Sequence, residues 1–184
     1  MRRIFSVLAA LVYAGPLHAM EIETVDVNQV HESYRVTLIF SVDVPVLRVR
    51  AVLTDYAHLH KLNPAIIESK RVLAPREGVT RVRTRMRGCV LFLCQDIACT
   101  EDLHKGGSGS LQAVIVPQLS DMKSGHASWR FKPLGDITRI SFRSRMVPDF
   151  WIPPLIGSFI LKHWLHGQLI ETAENLERLA SPNP

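Results

Sequence analysis

The sequence predicts an α+β fold in which a run of antiparallel strands is closed by one long C-terminal helix. Three observations predict it. Most of the chain alternates apolar and polar residues two by two, the period of a half-buried strand. Apolar residues from Leu155 to Leu179 recur instead at helical spacing. Between the first two strands and the rest, a short stretch from Pro45 to Tyr56 also has the helical period.

Before the first strand, Arg2 and Arg3 precede an apolar run from Ile4 to Ala14, and Leu17-His18-Ala19 ends on a small residue. This is the pattern of a secretory signal peptide cleaved after Ala19. The run is too short for a bilayer span, which needs about 20 residues, and no cysteine follows to carry a lipid anchor. The expected mature unit is a single domain, residues 20–184, exported to the periplasm. The formal charge of the whole sequence is +5; removal of Arg2 and Arg3 leaves it mildly basic, suited to an anionic membrane surface. No nucleic-acid motif is present.

Ile22 to Val30 and Tyr34 to Val42 read as strands around the polar His31-Glu32-Ser33. Asp43 is placed to cap a helix that Pro45 starts, with Val46, Val49, Val52, Leu53 and Tyr56 on its apolar face. Asn63-Pro64 ends that region, and Ile66 to Leu73 is extended again.

Cys89, Cys94 and Cys99 belong, after export, to an oxidising compartment. An extended stretch from Cys94 to Cys99 separates those alpha carbons by ~17 Å, beyond disulfide reach. Cys89 and Cys94 flank a four-residue hairpin tip, Val90 to Leu93, and are expected to pair, leaving Cys99 a buried thiol. Zinc spacing is absent. Pairing Cys89 with Cys94 sets Arg87 against Asp96 and Arg81 against Asp102 on one face. On the other face Met86 meets Ile97, Thr84 meets Cys99, and Val82 meets Glu101. Opposite charges across the strands support the register.

Gly106-Gly107-Ser108-Gly109 is a turn, since no Lys-Ser/Thr or helix follows it as in a phosphate loop. Leu111, Ala113 and Ile115 share a strand face; so do Ala127, Trp129 and Phe131, and Ile140, Phe142, Ser144 and Met146. Arg130, Lys132, Arg139, Arg143 and Arg145 occupy the opposite faces. The sheet is therefore expected to be apolar inside and basic outside.

Three stretches resemble the START-like (SRPBCC) superfamily, which includes polyketide cyclases and coenzyme Q-binding START-type domains. They are Ser41-Val42-Asp43-Val44-Pro45 leading to Val52-Leu53-Thr54-Asp55-Tyr56 and Asn63-Pro64-Ala65-Ile66; Ser128-Trp129-Arg130-Phe131-Lys132-Pro133 with Thr138-Arg139-Ile140; and Ile152-Pro153-Pro154-Leu155 leading to Asn175-Leu176-Glu177. The resemblance implies the helix-grip fold: a curved antiparallel sheet wrapped around the C-terminal helix, two short helices after the first strands, and an apolar cavity. Members bind sterols, phospholipids, quinones or polyketides, and some catalyse cyclisation; the fold alone does not choose.

The expected cavity lining is Val82, Thr84, Met86, Ile97, Glu101, Leu111, Ala113, Ile115, Trp129, Phe131, Ile140, Phe142, Phe159 and Leu169. Glu101 discriminates most, because an inward carboxylate is costly to bury alone. Val90, Leu91, Phe92, Leu93, Phe150 and Trp151 are the expected membrane-contact residues. His58 and His60 should diverge on a regular helix; His163 and His166, at i and i+3, lack further ligands for a metal. No cofactor is implied. The primary reading is a periplasmic, monomeric carrier of a lipid, quinone or sterol-like molecule rather than an enzyme. The alternatives are a cyclase or aromatase using Glu101, Tyr34 or a histidine, and a non-catalytic module of an envelope complex.

Overall fold

A computed structural model describes residues 20–90, 93–150, 152 and 157–182. The strands are β1 (Glu21–Val30), β2 (Ser33–Val42), β3 (Ile66–Val72), β4 (Thr80–Val90), β5 (Leu93–Lys105), β6 (Leu111–Ile115), β7 (Met122–Leu134) and β8 (Ile137–Pro148). The helices are α1 (Val46–Leu53), α2 (Leu59–Leu62) and α3 (Gly157–Ala180). All eight strands form one curved antiparallel sheet in the order β1-β2-β8-β7-β6-β5-β4-β3. Each strand from β3 to β8 pairs with its sequence neighbour, and the first hairpin attaches through β2 to β8.

The register of β4 and β5 follows from side-chain alternation. Cys89 pairs with Cys94, Arg87 with Asp96, Arg81 with Asp102 and Val82 with Glu101, with no bulge between them. Arg81 and Arg87 each grip their aspartate through two hydrogen bonds, at 2.6 and 2.8 Å and at 2.6 and 2.9 Å. A disulfide joins Cys89 to Cys94 and leaves Cys99 free. Thiol titration of denatured, unreduced protein should therefore count one cysteine; three would exclude the disulfide. In the native protein that thiol should react slowly, since burial pushes its pKa well up and little thiolate forms.

The inner face of the sheet makes a core with the helices. Leu38, Phe40, Val42 and Ile140 pack beneath Val49 of α1 and beneath Ala173, Leu176 and Ala180 of α3. Thr138, fully buried, donates its hydroxyl to the Val44 carbonyl at 2.6 Å and pins the chain where it turns toward α1. α2 is tied to α3 by Asn63, whose amide donates to Thr172 Oγ1 at 3.0 Å, and by Asn175, which donates to the Leu62 carbonyl at 3.2 Å.

Two local expectations are corrected. Asp43 does not cap α1: Pro45 holds the N-cap position with no side-chain hydrogen bond, its fixed φ of −59° setting the entry. The helix also stops at Leu53, where the Thr54 hydroxyl bonds back to the Arg50 carbonyl at 2.8 Å. Tyr56 consequently lies beyond the helix and is buried from a loop. α3 is described from Gly157; the start of the helical pattern at Leu155 lies outside the described residues.

The outer face is cationic. Arg35 stands directly opposite Arg145, and Arg139 opposite Lys132. Arg139 is paired with Glu23 at 2.6 Å. Among the described residues Arg35, Arg83, Arg130, Lys132, Arg143 and Arg145 have no acidic partner.

Candidate ligand cavity

Between the sheet and α3 lies a cavity of about 320 Å³. It exists because α1 and the C-terminal half of α3 fill only one end of the sheet's concave face. At the other end the inward side chains of β4, β5 and β6 face the N-terminal half of α3 across open space. From the sheet, Val82, Thr84 and Met86 of β4, Ile97 and Glu101 of β5, and Leu111 and Ile115 of β6 line the cavity, joined by Trp129 and Phe142. Those two rings stack at 4.8 Å between centroids. Leu169 reaches it from α3.

Four of the residues expected in the lining stand elsewhere. Ala113 is fully buried in a cluster with Tyr56, Val82, Leu103 and Ala127, and its methyl is too short to reach past them. Ile140 lies under α1 and α3 in the filled end of the core. Phe131 packs at the edge of that core, with the Arg50 guanidinium 5.5 Å above its ring. Phe159 is 73% exposed. At about 100° per residue it lies roughly 200° around the helix from Leu161, which does line the cavity.

The helix face that sequence reasoning missed is Leu161, Trp164, Leu165, Gln168 and Thr172. Its i, i+3, i+4, i+7 spacing was a usable signal. Trp164 rests on β4 at Gly88, its ring carbons 3.6 and 3.7 Å from where a Cβ would stand, an ordinary contact distance. Tyr56 and Cys99 also face the cavity.

Of the expected membrane-contact residues, Leu91, Phe92 and Trp151 lie outside the described residues, and only the backbone is described for Val90 and Leu93. Phe150 is half-buried and contributes to the cavity wall. No helix among the described residues is long and apolar enough to cross a membrane.

Glu101 is the chemically singular group. It stands on the inner face between Val82 and Ile115, both cavity residues. Burial pushes its carboxyl up to about 7, and neither a hydrogen bond nor a cation offsets that. Tyr56 is close enough to feel the Glu101 charge; burial raises its phenol, the Arg71 guanidinium 5.2 Å above its ring lowers it, and Glu101 raises it further. Tyr34, the other acid–base candidate, is 1% exposed on β2 and is not part of the lining.

The histidines form no site. His58 is bound by Asp55 at 2.9 Å, and its ring lies 6.0 Å from that of His60 rather than diverging, because His58 precedes α2 instead of belonging to it. His163 and His166 are exposed. Among the described residues no group of three His, Cys, Asp or Glu side chains is placed to hold a metal.

The family profile described as polyketide cyclase / dehydrase and lipid transport matches residues 33–181, from β2 through α3. The chain belongs to this family. The membership accounts for the long terminal helix over a concave sheet, and solved structures share the fold. The Zhui aromatase/cyclase of a Streptomyces species is similar with a TM-score of 0.66 at 13% identity, covering 80% of this chain and 93% of that one. A START superfamily protein from Mycobacterium smegmatis gives 0.62 at 15%, covering 78% and 94%. A STAR-related lipid transfer protein from Xanthomonas axonopodis gives 0.60 at 13%, covering 85% and 98%. No curated protein matches the sequence. In this polyketide cyclase and lipid transport family member the cavity occupies the space between sheet and terminal helix.

Proposed function

We propose that the chain is an exported carrier that holds a lipid-like hydrophobic molecule between the sheet and α3. The observation that carries this reading is the cavity: about 320 Å³, walled mainly by aliphatic and aromatic side chains, within the size range of small-molecule sites. A ligand there gains about 25 cal/mol for each Å² of apolar surface removed from water. A lipid transfer protein among the similar folds favours the same reading.

Export is supported by the leader pattern of residues 1–19 and by the Cys89–Cys94 disulfide. Processing after Ala19 makes the Met20 nitrogen, 3.2 Å from Glu177 Oε2, the amino terminus, so the mature chain gains an ion pair onto α3. The unpaired arginines of the outer face suit transient contact with an anionic leaflet.

A second reading is favoured by Glu101. A carboxyl near 7 facing a cavity is in the range of a general acid or base, and an aromatase/cyclase is among the similar folds. Native mass spectrometry of protein purified from its host envelope, with extraction of bound molecules, separates the two. A lipid, quinone or sterol at near-equal stoichiometry supports the carrier. Protein without a ligand, even after incubation with envelope lipids, moves the weight to a transiently bound substrate.

A further inference from the structure

A negative charge on Glu101 and an apolar ligand compete for the same space. On the inner face Arg71 of β3, Val82 of β4, Glu101 of β5 and Ile115 of β6 stand in one row, each opposite the next. Val82, Glu101 and Ile115 all border the cavity. The Glu101 carboxyl therefore interrupts an apolar stretch of wall and faces open space. Among the described residues no hydrogen bond and no cation offsets its burial. Water admitted to the cavity is what a carboxylate has to solvate it there. An apolar body seated in about 320 Å³ displaces that water, and a carboxylate against hydrocarbon costs far more than a neutral acid does.

The groups around Glu101 do not change the sign. Burial, opposed by Arg71 and reinforced by Glu101, raises the Tyr56 phenol, which stays neutral beside the carboxyl. The Arg71 guanidinium lies 5.2 Å over the Tyr56 ring and donates to the Thr54 carbonyl at 3.5 Å. Cys99, two residues along β5, is kept a neutral thiol chiefly by burial. His126 of β7 stands in the row of Val114 and Arg145, exposed on the outer face. Glu171 of α3 takes the Gln168 amide at 3.3 Å and is not part of the lining. Among the described residues the lining holds no other ionisable group from β4, β6, β8 or α3.

We propose that loading is proton-coupled: an apolar ligand fills the cavity only over the neutral acid form of Glu101, so above neutral pH each molecule bound draws one proton from solvent onto the carboxylate and each molecule released returns it. This rests on the carrier reading and names how that site is regulated. Burial already holds the carboxyl at about 7 before a ligand enters, and the occupant raises it further. Affinity is therefore full below that value and falls by about a factor of ten for each pH unit above it. Acid loads the cavity and alkali empties it.

Pyrene, with no polar or ionisable group, serves as the fluorescent occupant, and dodecan-1-ol, which competes with it, reports on an alkyl chain. The wild-type protein should bind pyrene about tenfold more weakly at pH 8 than at pH 6, and displacement by dodecan-1-ol should weaken in the same direction. Glu101→Gln should bind pyrene equally at both. Difference infrared spectra of the wild type at pH 8 give a reading that needs no variant: seating pyrene should add the carbonyl band of a protonated carboxyl. Equal pyrene affinity at the two pH values in the wild type, or pyrene seated without that band, would overturn the proposal and leave the carrier reading standing. A tenfold loss that persists in folded Glu101→Gln would overturn the assignment to Glu101. Failure of both pyrene and dodecan-1-ol to bind at pH 6 would remove the carrier reading, and the proposal with it.

Discussion

Glu101→Gln should make the protein progressively more stable relative to wild type as pH rises from 4.5 to 7, by roughly 3 kcal/mol in total. The carboxyl has an ordinary value of 4.5 and is held at about 7 in the fold. Between those values the unfolded chain releases the proton and the folded chain keeps it, so unfolding is favoured by about 1.4 kcal/mol per pH unit. The contribution is fully present below pH 4.5 and gone above about 7. Glutamine does not titrate, so the variant lacks this dependence. The groups facing Glu101 do not confuse the window. Tyr56 and Cys99 both have raised values and stay neutral through it. Glu23, Asp96 and Asp102 behave in the opposite sense: their arginine partners hold them down, so they stabilise at neutral pH and lose that contribution in acid. The measurement is therefore the difference between wild type and variant in urea unfolding at pH 4.5, 6 and 8. A difference independent of pH would mean that Glu101 ionises in the fold as it does in the unfolded chain.

How far the sequence could be read depends on which interactions are local. The period of two placed Glu101 inward, and the Cys89–Cys94 pairing placed it opposite Val82, since both follow from alternation along one hairpin. The same rule placed Ala113 and Ile140 inward, where they are. It could not separate an inward residue that meets another side chain from one that faces open cavity. That distinction is made by α1 and α3, which cover Ile140 and leave Ile115 uncovered. Their positions are fixed by contacts distant in sequence, such as Asn63 with Thr172 and Thr138 with Val44. Tyr56 was misread for a local reason: its spacing continues the helix, but the Thr54 hydroxyl closes onto Arg50 and ends it one turn early. Phe159 belongs to a broad helical spacing from Leu155 to Leu179, but its angle about α3 opposes that of Leu161.

The two halves of α3 have different work, and paired truncations should separate them. Leu176 is 1% exposed and packed in the cluster with Leu38, Phe40 and Ile140, beneath the helix's C-terminal half. Leu176→Ala removes buried carbons from a filled site whose neighbours, set by a curved sheet, cannot close in. It should cost about 3 kcal/mol of unfolding free energy. Leu165, on the same face about three turns earlier, already borders the cavity and is partly accessible. Truncating it deepens an existing space rather than opening a new one, so Leu165→Ala should cost about 1 kcal/mol. Ligand affinity should show the reverse order. Leu165→Ala takes apolar contact from the alkyl chain and should weaken dodecan-1-ol binding roughly fivefold, whereas Leu176→Ala should leave it within about twofold while the protein remains folded. Urea unfolding and pyrene displacement on the same two variants check both orders. Equal stability losses would mean that α3 packs against the sheet along its whole length, and the cavity between them would have no place in the folded protein.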